Sequence, residues 1–130
     1  LDCTKNNREQ FKNRFFVEGD PKALLMFEIC TDSDVESNKL ADVLITDLKE
    51  NNFGYAYPKL IGSEIHQAVE LRKAGLGLLG NIVGDEKAVA CIEDTAVDVN
   101  DLPNYIAEFT KMMAEFGQDA VYYAHAGAGD

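Results

Sequence analysis

The stretch "PNYIAEFTKMMAEFG" (residues 103–117) carries the clearest secondary-structure signal in the sequence. Its large apolar residues recur at intervals of three and four, the spacing that places side chains on one face of an α-helix. These residues are Tyr105, Ile106, Phe109, Met112, Met113 and Phe116. Pro103 suits the first turn of a helix and Gly117 suits its end. The pattern therefore predicts an amphipathic helix that begins at Pro103 and stops at Gly117.

Apolar runs of strand length occur on both sides of this helix. "KALLMFEIC" (22–30) is continuous enough for a central strand, and "DAVYYAHA" (119–126) reads as a closing strand. "YAYPKL" (55–60) predicts a short strand in which Pro58 favours an edge position. The stretch 74–103 is broken by glycines and then rich in β-formers, which indicates a strand plus a loop.

Three further segments predict helices. The stretch 7–21 begins as a short helix and ends in a Gly-Asp-Pro turn. The stretch 31–54 offers capping residues at its start and acids in its first turn, and Gly54 ends it. One apolar face of that helix consists of Leu40, Val43, Leu44 and Leu48. Ser63 is the predicted cap of the next helix, whose apolar residues share one helical phase.

The order of these elements predicts the fold class. Short strands that alternate with helices indicate an α+β protein, a ferredoxin-like α/β sandwich with a mainly antiparallel sheet. A chain of 130 residues has the length of one domain with its own core, so residues 1–130 are interpreted as a single domain.

Composition limits the partners and the compartment. The net charge of −11 argues against nucleic acid or anionic lipid, because both are bound by clustered Lys and Arg. No apolar run approaches the about 18 residues of a membrane span. Three widely spaced cysteines form neither a disulfide framework nor a zinc pattern, which favours reduced thiols and a cytoplasmic location. Because the first residue is Leu1 rather than Met, we interpret the chain as an excised fragment.

The segment "GLGLLG" (75–80) matches the dinucleotide fingerprint G-x-G-x-x-G, and Asp98 lies at a suitable distance for a ribose contact. The fingerprint requires a strand before the loop and a helix after it, so that backbone amides meet the pyrophosphate. Here a predicted helix precedes the glycines and a loop follows them. Helix termination and a flexible turn explain the segment better.

Arg72 is the cation with the most informative position. It lies in phase with three apolar residues of its helix, which are Ile65, Val69 and Leu76. A charge on an apolar face needs a partner. That partner is either a protein carboxylate, such as Glu70 or Glu93, or the carboxylate of a substrate, which suits the bidentate geometry of arginine. Lys87 could supply a second positive charge.

The two histidines differ in context. His66 lies beside an apolar helix face and is interpreted as structural or exposed. His125 lies at the end of a predicted strand, directly before glycines, where a neutral imidazole can bind a metal or transfer a proton. Zinc or iron requires further ligands, and none occurs at close spacing. From composition alone, a structural role for His125 is favoured.

Taken in order, these residues resemble a known family. "VELRKAGLGLLGNIVGDEKAVACIEDTAVDVNDLPNYIAEF" (69–109) and "YYAHAGAGD" (122–130) are similar to the C-terminal cap domain of the FAD-linked oxidases that act on D-2-hydroxy acids. That family includes glycolate oxidase, D-lactate dehydrogenase and D-2-hydroxyglutarate dehydrogenase relatives. The shared features are a Leu-Arg pair on a helix, a lysine 15 residues later, the acidic "EDTAV" with a leucine shortly after, and then a helix. The family closes this stretch with a G-H-x-G-D-G-N-x-H segment, to which "AHAGAGD" (124–130) corresponds.

The resemblance implies a set of roles. FAD is held mainly by a separate N-terminal domain, and this cap domain covers the substrate side of the flavin, which accepts a hydride from the hydroxyl-bearing carbon. Arg72 and Lys87 bind the substrate carboxylate. His125, with a later histidine and a later glutamate, surrounds a divalent metal, zinc or iron, that polarises the substrate hydroxyl. The partners are thus a D-2-hydroxy acid and the FAD-binding domain.

The chain departs from the family pattern at several positions. Ala124 replaces the glycine before the histidine, Ala128-Gly129-Asp130 replaces the Asp-Gly-Asn run, and Asp98 stands where proline is usual. The second histidine and the glutamate are not in these 130 residues, so the isolated chain is predicted to be inactive and could dimerise through exposed core surface. The alternative is a stand-alone ferredoxin-like module that binds a small ligand or a protein without catalysis.

Overall fold

The computed structural model describes residues 2–5, 7–80, 84–85 and 87–130. The chain divides into two compact units, Leu1–Gly84 and Asp85–Asp130, and each is described by itself. The α-helices, in chain order, are α1 (Asp2–Lys5), α2 (Arg8–Phe11), α3 (Asp34–Glu50), α4 (Ser63–Leu79) and α5 (Leu102–Glu115). Two short 3-10 helices span Lys12–Arg14 and Ala126–Ala128.

The predicted ferredoxin-like sandwich with a mainly antiparallel sheet is wrong. The described residues contain no strand, and the stretches 22–30, 55–60 and 119–125 have no regular secondary structure. An apolar run becomes a strand only when a neighbouring strand completes its backbone hydrogen-bond ladder. The apolar pattern therefore indicates only which side chains favour burial. Strand pairing depends on backbone contacts with a second segment, and the pattern does not predict these contacts.

The helix predicted over 31–54 is confirmed as α3. The Ser33 side chain accepts a hydrogen bond from the Glu36 backbone N–H and caps the first turn, which also holds two acids. The helix ends at Glu50, four residues before the predicted stop, and Gly54 follows in a left-handed conformation with φ of 80°.

The helix predicted near Ser63 is confirmed as α4, but its ends differ from the prediction. Gly62, rather than Ser63, is the N-cap residue, and no side chain caps the helix. The helix continues through Gly75 and Gly77 to Leu79, where the sequence predicted a glycine-broken strand and loop. Residues 81–83 and 86 of that predicted stretch lie outside the described residues, and 88–98 have no regular secondary structure.

The core of the first unit lies between α4 and the N-terminal helices. Helix α4 contacts α1 and the 3-10 helix Lys12–Arg14. It buries Ala68 and Leu71, which are 2% and 4% exposed. Two polar residues are buried beside them: Thr4 accepts a hydrogen bond from the Arg14 guanidinium, and the Asn13 amide donates to Gln10. Burial of a polar group costs little stability when the group has a hydrogen-bond partner, and both polar residues of this small core have one.

Much of the apolar surface of the first unit remains exposed. Helix α3 has no buried residue, and its predicted apolar face includes the exposed Leu40 and Val43. The apolar run that was predicted as a central strand is exposed along residues 24–27. Exposed apolar patches of this extent mark interaction surfaces in soluble proteins.

The second unit is organised by α5, and the helix predicted from Pro103 is confirmed. Pro103 lies in its first turn, and Gly117 follows its end with φ of 63°. The Tyr122 ring packs edge-on against Phe109, with ring centroids 6.0 Å apart, and its hydroxyl lies 2.7 Å from the Thr110 hydroxyl. Tyr122 therefore ties the segment after the helix to the helix itself.

Replacement of Leu71 tests whether α4 supplies the core of the first unit. Leu71→Ala should lower the free energy of unfolding by about 2 kcal/mol, at the low end for buried leucines because the surrounding core is small. Urea denaturation followed by circular dichroism measures the change. Ile65→Ala, on the exposed side of the same helix, is the control and should change stability by less than about 1 kcal/mol. Equal effects of the two changes would contradict this packing.

Candidate functional site

The predicted metal ligand His125 lies at the start of a tight loop. Its backbone N–H donates to the Asp130 carbonyl (2.5 Å), and the Asp130 N–H lies 3.4 Å from the His125 carbonyl. The Ala128 N–H also donates to the His125 carbonyl (2.8 Å), within the 3-10 turn between them. These bonds close residues 125–130 into a ring, so His125 and Asp130 are neighbours across its base.

A backbone contact holds this loop against another part of the second unit. The Val97 N–H donates to the Gly129 carbonyl over 2.9 Å, and Gly129 is buried. Gly129 has φ of 77°, and a Cβ atom there would lie 2.0 Å from the Val97 carbonyl oxygen. Only glycine fits such a close approach in the left-handed region. We call this contact the Gly129–Val97 clasp; it brings "EDTAV" and "AHAGAGD" together.

The His125 side chain faces solvent beside one carboxylate. Its Nδ1 atom lies 3.7 Å from Asp130 Oδ2, and the imidazole is 67% exposed. The part of the chain that the structure describes contains no group of three or more His, Cys, Asp and Glu residues that could hold a metal ion. Because zinc and iron sites need three or more protein ligands, the described residues do not by themselves fit the metal that the family resemblance implies.

Asp98 has a local structural role. One of its carboxylate oxygens accepts hydrogen bonds from the Asn100 backbone N–H and side-chain amide, both over 2.9 Å. Its carbonyl accepts from the Asp101 and Leu102 N–H groups at the start of α5. This turn is an Asx-type arrangement, which leads the chain from the clasp directly into the helix. Asp98 therefore shapes the corner between Val97 and the start of α5.

The segment "GLGLLG" does not form a phosphate-binding loop. Gly75 and Gly77 lie inside α4, and Gly80 is the residue after its end. Amides within a helix donate to carbonyls four residues earlier, so they are not free to cradle a pyrophosphate. The segment thus offers no dinucleotide fingerprint, but its glycines lie within α4 and at its end rather than in the flexible turn that the sequence predicted.

The two predicted carboxylate-binding residues belong to different units. Arg72 lies on α4 next to the buried Leu71 and is itself half-buried. Lys87 is exposed in the second unit. Glu70, one of the protein partners considered for Arg72, lies 3.6 Å from Lys73 in an exposed ion pair. His66 is exposed on the same helix, as predicted from its context.

Sequence reasoning missed the clasp and the position of Asp130 beside His125. Val97 and Gly129 are 32 residues apart, and backbone hydrogen bonds at such separation leave no periodic signal. The available signal was the small-residue run Gly127 to Gly129, which is typical of a backbone that approaches another closely.

These features define the class of protein. A model of the FAD linked oxidases, C-terminal domain, matches residues 5–130, which is nearly the whole chain. The chain belongs to this family, and the resemblance drawn from the Leu-Arg pair, "EDTAV" and the histidine loop is confirmed.

The relatives point to one kind of enzyme. The chain is 29% identical over 109 residues to D-2-hydroxyglutarate dehydrogenase of Pseudomonas putida, covering 80% of this chain and 11% of that protein. It is 33% identical over 88 residues to the D-2-hydroxyglutarate dehydrogenase of Pantoea ananatis, covering 68% of this chain and 8% of that protein. The chain thus spans about a tenth of the length of these relatives.

No solved structure matches the chain significantly. Among the described residues, no helix has the length and apolarity that a membrane crossing requires.

Replacement of Gly129 tests the clasp. Gly129→Ala should destabilise the second unit by at least about 1–2 kcal/mol, because alanine is strained in the left-handed region and its Cβ meets the Val97 carbonyl. Hydrogen exchange measured by NMR should show faster exchange of the Val97 amide.

Gly127→Ala is the matched control for this experiment. Gly127 lies two residues away, its φ is not in the left-handed region, and an added Cβ would meet nothing within 4 Å. The Val97 amide should keep its wild-type exchange rate in this variant. If Gly129→Ala also left that rate unchanged, the clasp would not hold the loop in solution.

Proposed function

We propose that this chain forms part of the substrate-binding cap of an FAD-dependent enzyme that dehydrogenates or oxidises D-2-hydroxy acids. The family match over residues 5–130 carries the proposal. The similarity to D-2-hydroxyglutarate dehydrogenases supports the substrate class, a hydroxyl group next to a carboxylate. When bound, FAD supplies the acceptor for the hydride that leaves the hydroxyl-bearing carbon.

In this proposal, FAD is held mainly by a domain outside these 130 residues. The glycines of "GLGLLG" lie within or at the end of a helix, so this segment does not form a loop that could hold its pyrophosphate. The role of this chain is to bind and orient the substrate. The large exposed apolar surface around residues 24–27 supports a further assignment, a surface that packs against another protein segment.

Arg72 is the proposed anchor for the substrate carboxylate. Its guanidinium is always charged and presents two parallel N–H groups that match the two oxygens of a carboxylate. Half-burial on α4 lowers the exposure to water and strengthens such a pair relative to a fully exposed one. Lys87 is the proposed second positive charge for the substrate, a role that the family resemblance supports.

His125 is the proposed contact to the substrate hydroxyl. In the complete enzyme, a divalent metal such as zinc or iron would polarise that hydroxyl, with ligands additional to His125. The described residues provide a single exposed imidazole with Asp130 beside it. His125 accordingly acts as one member of a site and holds no metal tightly by itself.

A binding module without catalysis is the second candidate function. The exposed apolar residues at 24–27 and on α3 favour it, because such a surface can bind a protein partner or a second copy of the chain. D-2-hydroxy acid turnover by the FAD-loaded protein that carries this chain distinguishes the two. Turnover supports the enzyme, and its complete absence supports the module.

Replacement of Arg72 in the FAD-loaded whole protein tests the anchor. Arg72→Ala should reduce kcat/KM for D-2-hydroxy acids about 10- to 100-fold, because a charged hydrogen bond contributes about 1.5–3 kcal/mol. Arg72→Lys should recover part of the loss, since it restores the charge without the bidentate geometry.

Lys73→Ala is the matched control, because Lys73 is the next residue on α4 and pairs only at the surface, with Glu70. Its kcat/KM should remain within about twofold of wild type, as expected for an exposed pair. Wild-type activity of Arg72→Ala would show that the carboxylate binds elsewhere.

The 130-residue chain alone should neither turn over D-2-hydroxy acids nor bind zinc tightly. A site with one imidazole and one carboxylate lacks the four ligands of stable zinc sites. Isothermal titration with zinc should show weak binding that His125→Ala removes. Turnover by the FAD-free chain, or tight zinc binding, would overturn this prediction.

A further inference from the structure

We propose that Asp130 is a positioning residue for His125, which it holds in the tautomer with the proton on Nδ1 and the lone pair on Nε2. The inference rests on the proposed function, because it assigns which atom of His125 acts in the site. Nε2 is then the atom that binds a ligand or accepts a proton. Asp130 itself contacts neither the substrate nor the cofactor.

The first support is the closed ring of residues 125–130. Backbone hydrogen bonds join His125 and Asp130 at the base of the loop, which brings their side chains near each other. Their Nδ1 and Oδ2 atoms lie 3.7 Å apart. This exceeds a hydrogen bond by about 0.5 Å, a gap that rotation of two exposed side chains can close. The loop therefore places the Asp130 carboxylate where it can become the hydrogen-bond partner of Nδ1.

The second support is the Gly129–Val97 clasp. Gly129 directly precedes Asp130, and its carbonyl is bonded to the Val97 amide. The clasp holds the backbone at Gly129, from which the chain continues directly to Asp130. Loss of the clasp would let the Asp130 backbone move relative to the imidazole ring.

The third support is the chemistry of imidazole. A neutral imidazole has one N–H donor and one lone-pair acceptor, and the hydrogen bond made by one nitrogen decides the state of the other. Carboxylates commonly accept from the distal N–H of functional histidines and thereby orient the ring. Asp130 places a charged acceptor of this kind beside Nδ1 of His125.

NMR of the metal-free 130-residue chain tests the proposal. Long-range proton–nitrogen correlation spectra distinguish the protonated from the unprotonated ring nitrogen, at a pH where imidazoles are neutral. The sequence has two histidines, so the exposed His66 serves as the internal reference. His125 should show the proton on Nδ1, whereas His66 should show the Nε2–H tautomer that unconstrained imidazoles favour.

Variants distinguish the effect of the Asp130 carboxylate from the effect of the Gly129–Val97 clasp. Asp130→Ala should return His125 to the tautomer of His66, and Asp130→Asn should retain the Nδ1–H form because its oxygen still accepts. Gly129→Ala should lose the preference although the carboxylate remains. Retention of the Tyr122–Phe109 ring contact, seen as nuclear Overhauser effects, shows that each variant is folded.

Two outcomes would overturn the inference: identical tautomers of His125 and His66 in the wild-type chain, or a His125 tautomer that does not change in Asp130→Ala. These results do not depend on FAD, metal or turnover. If the protein proved not to be a D-2-hydroxy acid dehydrogenase, the tautomer result would therefore still stand. If the tautomer test failed, the result of the Arg72 experiment would be unaffected.

Discussion

One backbone hydrogen bond, from the Val97 N–H to the Gly129 carbonyl, organises the second unit around its histidine. It joins residues 125–130 to the segment that leads into α5, where Asp98 forms the turn before the helix. The bond requires glycine, because any side chain at residue 129 would meet the Val97 carbonyl. The loop that carries His125 is consequently held at both ends, by the clasp and by its own closing bonds.

The first unit depends on a different constraint, the burial of a narrow face of α4. Ala68 and Leu71 pack against the N-terminal helices, while the apolar residues of α3 and of 24–27 stay exposed. Burial of apolar area is the main favourable term in folding, so such a small core contributes modest stability. The exposed apolar surface is instead of the kind that marks interaction sites.

Local signals predicted the helices well. Ser33 caps α3. Pro103 lies in the first turn of α5 and Gly117 follows its end, the positions that proline and glycine favour. The strands failed because strand formation needs a partner at long range, which apolar runs do not specify. The glycines at 75 and 77 were interpreted as helix breakers, yet glycine costs only about 1 kcal/mol inside a helix, and α4 continues through both.

The sequence by itself determined the family, through the order and spacing of Arg72, "EDTAV" and the histidine loop, and the match over residues 5–130 confirms it. It also determined the helices, because their signals lie within a few residues of each other. Only the tertiary structure decided that Gly129 docks on Val97 and that Asp130 lies beside His125. The physical reason is that backbone contacts between distant residues depend on how the chain folds back, which local side-chain patterns do not record.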